Sequence, residues 1–253
     1  MTTIGLKAKA GRKKATLLLW VALFIALLSG RALYAEPGLE TGTGRYMVFT
    51  AYIPPYVAPG KGGEIIGSLV EPVETFMKAR KVPYKMALLP WSATYRRAVE
   101  TPHALIFPVD RTAAREDRFH WIKPLVTTHY YIYGLRDKVA PTTTLEDIRT
   151  NGDLVSCTKN SIQCELLLKG GIADENILRI EGASITDRFN LMVRKRNFFT
   201  VFDPLVFAKL VERDTLDADR LIKLEKVGDM TSYLAANRRM PGKMLAPLLT
   251  ATE

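Results

Sequence analysis

The stretch Thr127-Thr-His-Tyr-Tyr-Ile-Tyr-Gly134 decides how the rest of the chain is read. Residues 129–133 are aromatic and β-prone, and they read as a strand. Upstream of them, strand and helix character alternate. Residues 46–51 are an apolar strand. Residues 52–60 form a loop, because each of their prolines lacks a ladder donor. Residues 71–80 carry Val73, Phe76 and Met77 at helical spacing, with Pro72 tolerated in the first turn. A strand at 84–89, a short helix at 94–100 and a strand at 104–107 follow, the last stopped by Pro108. Past Gly134 the rhythm restarts. Thr143-Thr-Leu-Glu146 has capping-box spacing. Strands at 154–157, 177–180, 198–202 and 221–224 then alternate with helices at 163–169, 185–194 and 205–212. Gly170-Gly171 ends the first of these helices. Alternation of this kind implies mainly parallel sheets covered by helices. The restart implies two lobes. Residues 127–133 and roughly 221–226 are the crossings, and residues 231–249 return to the first lobe. The expected fold class is α/β, with the first lobe over residues 36–128, the second over 129–224, and the return over 225–253.

Composition narrows the function classes. Hydrophobic residues make up 47% of the 253, enough for real cores. The net charge of +10 suggests nucleic acid or an anionic membrane, but its placement argues otherwise. Lys7, Lys9, Arg12, Lys13, Lys14 and Arg31 lie in the first 35 residues, which contain no acid. Without those six, 30 basic residues face 26 acidic ones, a balance of +4. The basicity therefore belongs mostly to a leader. The basic segment precedes a 12-residue apolar run, residues 17–28, whereas a membrane-spanning helix needs about 20. Residues 1–35 thus read as an export signal cut after Ala35, with an uncut anchor as the alternative. Export would place Cys157 and Cys164 where disulfides persist. A bridge between them and two small buried thiols both remain open, since spacing does not reveal geometry.

Several chemistries leave no trace. His103, His120 and His129 have no second ligand at metal spacing, so no metal or cofactor is expected. There is no nucleophile elbow. Gly60-Lys-Gly-Gly63 with Gly67 follows a proline loop rather than a strand, and reads as a hairpin turn rather than a phosphate cradle. Arg194-Lys-Arg196 lacks an aromatic platform, so no nucleic-acid partner is expected.

Four stretches stand out together: Tyr52-Ile-Pro-Pro-Tyr56, Leu89-Pro-Trp91, Arg111-Thr-Ala-Ala-Arg-Glu116 with Phe119-His-Trp121, and Phe202-Asp-Pro204. With Val155-Ser-Cys-Thr-Lys-Asn-Ser161 they resemble the marks of bacterial extracellular solute-binding protein family 3, from residue 46 to residue 249. The resemblance implies a type II periplasmic-binding-protein fold with a ligand cleft between its lobes. It implies a monomer that captures a small polar solute, an amino acid or related carboxylate, for a membrane permease of the ABC type or for a sensor.

The resemblance also assigns roles. Arg115, closing Thr112-Ala-Ala-Arg115, would clamp a ligand carboxylate, which the planar guanidinium fork suits; a surface pair with Glu116 or Asp117 is the alternative. Asp203 would receive the ligand amino group, or cap a helix before Pro204, or both. Ser161 would offer a hydroxyl at a helix start, or serve as a plain N-cap. Tyr52, Tyr56 and Trp91 would supply flat walls, although Trp91 also suits the first-lobe core. The sequence departs from the family pattern at Ala93, where relatives carry Arg. It departs again at Asp110 for Ser or Thr, Asn160 for Gly and Leu69 for Asp. Asp110 would anchor a cationic group or pair with Arg115. Two rivals stand beside binding: a cyclohexadienyl dehydratase-like enzyme, with Glu165 or Asp110 as its acid, and a sensor or scaffold lobe without a ligand.

Overall fold

The computed structural model describes residues 45–181, 185–194, 199–212 and 217–250. The leader with its cut after Ala35, Lys195, Arg196 and Phe198 lie outside the described residues. Among those described, the elements run β1 (Tyr46–Ala51), β2 (Ala58–Pro59), β3 (Ile65–Ile66), α1 (Val70–Ala79), β4 (Tyr84–Leu89), α2 (Trp91–Glu100), β5 (Ala104–Asp110) and β6 (Phe119–Leu135). Then come α3 (Leu145–Asn151), β7 (Val155–Thr158), α4 (Ile162–Lys169), β8 (Ile177–Ile180) and α5 (Ile185–Val193). The order closes with β9 (Phe199–Phe202), α6 (Pro204–Glu212), β10 (Leu221–Asn237) and α7 (Gly242–Leu249).

Eight strands join into one sheet, in the order β4-β1-β5-β10-β6-β9-β7-β8. The triplets β4-β1-β5 and β9-β7-β8 are each parallel. Between them run β10 and β6, antiparallel to each other and to their outer neighbours. The two parallel sheets expected from sequence are therefore two parallel triplets spliced by an antiparallel ribbon. Each ribbon strand has 17 residues, far more than the crossings read from sequence. Exposed Lys123 and Thr127 in β6, and Lys223, Glu225, Lys226 and Asp229 in β10, break the apolar pattern and hide the continuity.

Side-chain alternation builds the cores. In β1, Tyr46 and Val48 face one side of the sheet, and Met47 and Phe49 the other. On the first side one core runs from β1 and β5 through Tyr133 of β6 to Phe202 of β9. On the second, the β1–β5 half and the β7–β9 half have separate cores. Phe202 is fully buried, and truncating such a side chain to Ala costs about 3–5 kcal/mol.

Two local readings shift. Pro108 does not stop β5, which continues to Asp110. Pairing with β1 has already ended at Ile106, and the register with β10 slips between Tyr233 and Ala235, so the missing donor interrupts no regular ladder. The capping box lies one residue later than read: Thr144 and Asp147 exchange bonds of 3.1 and 2.8 Å. Glu146 is drawn away by Arg149. The glycine-rich segment closes the β2–β3 hairpin, with the Gly60 amide on the Glu64 carbonyl at 2.7 Å.

Candidate functional site

Five parallel strands point their carboxyl ends at one cavity of about 450 Å³. Its walls include Ala51 at the end of β1, Leu89 of β4, Asp110 of β5, Thr158 of β7, and Asp203 directly after β9. This is where open parallel sheets bind ligands, because loops and helix starts converge there. Here two such ends face each other, and Thr128, Tyr130 and Ser232 of the ribbon complete the wall.

Six sequence-read candidates lie on this wall: Tyr52, Tyr56, Trp91, Asp110, Ser161 and Asp203. Local structure explains how they are held. Gly67 has φ +141°, and a Cβ there would overlap the Tyr56 carbonyl, so a glycine lets the β3–α1 turn close on the Tyr56 loop. The Thr94 hydroxyl donates to the Thr50 carbonyl at 2.9 Å, tying the first turn of α2, and with it Trp91, to the end of β1. Asn237 donates to the carbonyls of Ala98 and Val99, both at 2.7 Å, which satisfies the far end of α2.

Asp203 does two jobs. One oxygen accepts from the Leu205 amide at 2.8 Å, capping α6, and the other accepts from the Tyr56 hydroxyl at 2.7 Å. Burial pushes its carboxyl above the usual range, against the pull of Tyr56 and the helix amides. Asp110 accepts from the Ser232 hydroxyl at 2.6 Å and from the Tyr130 hydroxyl at 3.4 Å. Burial raises it as well, with Ser232 and Arg115 opposing. Desolvation likewise pushes the Tyr56 and Tyr130 hydroxyls up.

Arg115 and Thr112 are not on the wall. The Arg115 guanidinium lies beside Trp91 and Tyr95, 5.9 and 5.5 Å from their ring centres. Nη1 donates to the Asp110 carbonyl at 3.1 Å. Nη2 donates to the Asn160 carbonyl at 3.0 Å and sits 3.1 Å from the Glu165 carboxylate. The pair with Glu116 or Asp117 does not form; Glu116 binds Arg111 instead. Asn160 also accepts from Trp91 Nε1 at 3.1 Å. Its φ of 62° explains why Asn stands where the family pattern has Gly, since both tolerate left-handed backbone.

Ser161 occupies the N-cap position of α4 without making a side-chain cap bond, and its hydroxyl has no hydrogen-bond partner. The two cysteines are bonded, joining β7 to the first turn of α4. Thr128, Tyr130, Ser232 and Gln163 are wall residues that the sequence reading missed. The first two were within reach: once Ile132 is placed in a core, period-two alternation brings Tyr130 and Thr128 to the same face of β6. Ser232 was not, because its strand was read as ending at 224. Among the described residues no cluster of His, Cys, Asp and Glu is arranged to hold a metal ion.

Cavity and topology define a class: a two-lobed periplasmic-binding-protein fold. Comparison with solved structures supports it. EhuB in complex with hydroxyectoine matches with a TM-score of 0.68 at 14% identity, covering 81% of this chain and 80% of that one. A histidine kinase sensor domain with similarity to periplasmic binding proteins matches at 0.67 and 17%, covering 81% and 87%. The arginine-, lysine-, histidine-binding protein ArtJ from Geobacillus stearothermophilus matches at 0.66 and 14%, also covering 81% and 87%. This is the likeness that the family 3 resemblance implies, and it rests on fold. No family model matches the chain, and no curated protein does.

Proposed function

We propose that this is an exported solute-binding protein whose halves, residues 36–128 with 225–253 and residues 129–224, close on a small polar solute. One observation carries the reading: a cavity walled by both halves, at the carboxyl ends of both parallel triplets, with polar contacts crossing it. In this reading the solute's positive group meets Asp203, and Tyr52, Tyr56 and Trp91 pack on its carbon skeleton. Contacts from both halves to one ligand favour the closed form by their differential affinity. The leader directs export to the periplasm, and the closed monomer is read by an ABC-type permease or by a sensor. Sensing is favoured by the likeness to a histidine kinase sensor domain, and solute capture by the likeness to ArtJ, an arginine-, lysine-, histidine-binding protein, and to EhuB in complex with hydroxyectoine. Of the amino acid or carboxylate expected from sequence, the amino end has Asp203 waiting, while the carboxylate end finds Glu165 already on Arg115.

The test is thermal-shift screening of the mature chain against amino acids, amines and small organic acids. A ligand present at 100 times its dissociation constant adds about 2.7 kcal/mol. No shift with any compound, at concentrations up to millimolar, rejects solute capture and leaves the ligand-free scaffold.

A further inference from the structure

Two buried carboxylates, Asp110 and Asp203, are the only charged side chains on the cavity wall among the described residues. They are 8% and 6% exposed. Their hydrogen-bond donors are all neutral: the hydroxyls of Ser232, Tyr130 and Tyr56, and the Leu205 amide. Neutral donors do not cancel charge; Arg115 pulls on Asp110 but bonds its backbone carbonyl rather than its carboxylate, and a buried anion without a paired counter-ion is costly. The Tyr56 and Tyr130 hydroxyls each feel both acids, so the two charges bear on one volume.

The nearby cation serves something else. Arg115 has a side chain only 3% exposed, and its Nη2 is shared between Glu165 and the Asn160 carbonyl. A ligand carboxylate binds a guanidinium best through two parallel N–H bonds. To obtain them here it must displace Glu165, a carboxylate held in place by the chain itself and so present at high effective concentration.

Resting on the solute-binding reading, the geometry points to an organic cation without a carboxylate, an alkylamine or guanidine, as the ligand. Asp110 and Asp203 receive its charge. Glu165 stands in for the carboxylate that an amino acid would bring to Arg115. The aromatic walls suit both the alkyl chain and the cation. The Ser161 hydroxyl, buried and unbonded on the wall, accepts a further N–H.

Calorimetry on the mature chain with matched pairs tests this: agmatine against L-arginine, cadaverine against L-lysine, putrescine against L-ornithine. The decarboxylated member binds more tightly in every pair that binds, by about tenfold or more, since the extra carboxylate meets two acids and, among the described wall residues, no cation. An amino acid that equals or beats its amine overturns the assignment. Silence from all six compounds overturns it too. Binding of organic acids or sugars in that case preserves solute capture; silence from those as well ends both readings. Glu165→Gln keeps the size of a side chain that is one-third exposed, and releases Arg115 from its carboxylate. In that variant L-arginine gains about tenfold while agmatine changes by less than about threefold. An unchanged ratio overturns the claim that Glu165 keeps a ligand carboxylate from Arg115. Asp110→Asn supplies an independent arm, with about a tenfold loss for agmatine; retention of full affinity overturns the role of Asp110.

Discussion

Among the contacts between the halves beside the cavity, two are built on opposite principles. At one, the Tyr56 hydroxyl reaches across to Asp203. That contact has a hydrogen bond on each carboxylate oxygen, yet both donors are neutral and lone pairs remain. At the other, Arg115 and Trp91 reach across to Asn160 and Glu165. There a cation meets two carbonyls and a carboxylate, and the charge is balanced within the chain. The first contact has something left to attract; the second is complete. A single pair of residue types, one Arg and one Asp on facing walls, had suggested a symmetric clamp for a zwitterion. Their partners turn it into a one-sided trap.

Removing Arg115 strikes the complete contact. Arg115→Ala strands the Asp110 carbonyl and the partly solvated Glu165, leaves Asn160 with Trp91 alone, and lowers unliganded stability by about 3 kcal/mol in denaturant melts. An unchanged melting curve would mean that Arg115 is reserved for ligand, as the family pattern alone implies. Replacing both cysteines by serine loosens the Asn160 side of the same contact. The bridge closes a separation of seven residues, so its loss costs about 2 kcal/mol on the loop-entropy model. A cost confined to α4, with Trp91 fluorescence unmoved, would show that the bridge does not support the contact. Asp203→Asn strikes the incomplete one. Its amide oxygen still caps α6, so unliganded stability falls by less than about 1 kcal/mol, while amine binding falls by about 1.5–3 kcal/mol. Equal losses for amines and simple carboxylates would contradict the assignment of Asp203 to the cation.

The gentlest probe is pH. Both acids are raised in the folded chain, Asp110 and Asp203 alike by burial. A raised carboxyl holds its proton longer when folded than when unfolded. Stability from these groups is therefore greatest at low pH and declines as pH climbs from the ordinary carboxylate value through the raised one. Amine binding runs the other way, because it needs both acids ionised. Arg115, Glu165, Ser232 and Tyr130 around Asp110, and Tyr56, His129 and the α6 amides around Asp203, set where the window falls. Within it, affinity rises by up to about tenfold per pH unit for each proton released. Calorimetry in buffers of different ionisation enthalpy counts those protons, and a count of zero would show that both acids are already ionised without ligand.

Much of this was legible beforehand, and the gaps have physical causes. β1, β4 and β8 could be read to the residue because Pro, Gly and charged neighbours bound them sharply. β6 and β10 could not, since a ribbon with one face wet and two register regimes loses its alternation halfway. The wall residues Tyr52, Tyr56 and Ser161, and Trp91 at the start of α2, announced themselves by type. Glu165 was read only as a candidate acid of the dehydratase rival and not as the partner of Arg115, because the two lie 50 positions apart and meet only in the fold. Arg188 also resisted reading: it is fully buried, bonded to Thr200 and the Val201 carbonyl at 3.1 Å, and desolvation pulls its guanidinium down to about 9.

The link between Cys157 and Cys164 encloses Asn160 and Ser161 in a small covalent ring. Short helices unravel from their ends, and α4 is only eight residues long. Its first turn would ordinarily be the earliest part to peel away. Here that turn is stapled to a sheet strand, and the turn beyond it is held by Leu166 and Leu167 in the core, so both ends of a very short helix are anchored.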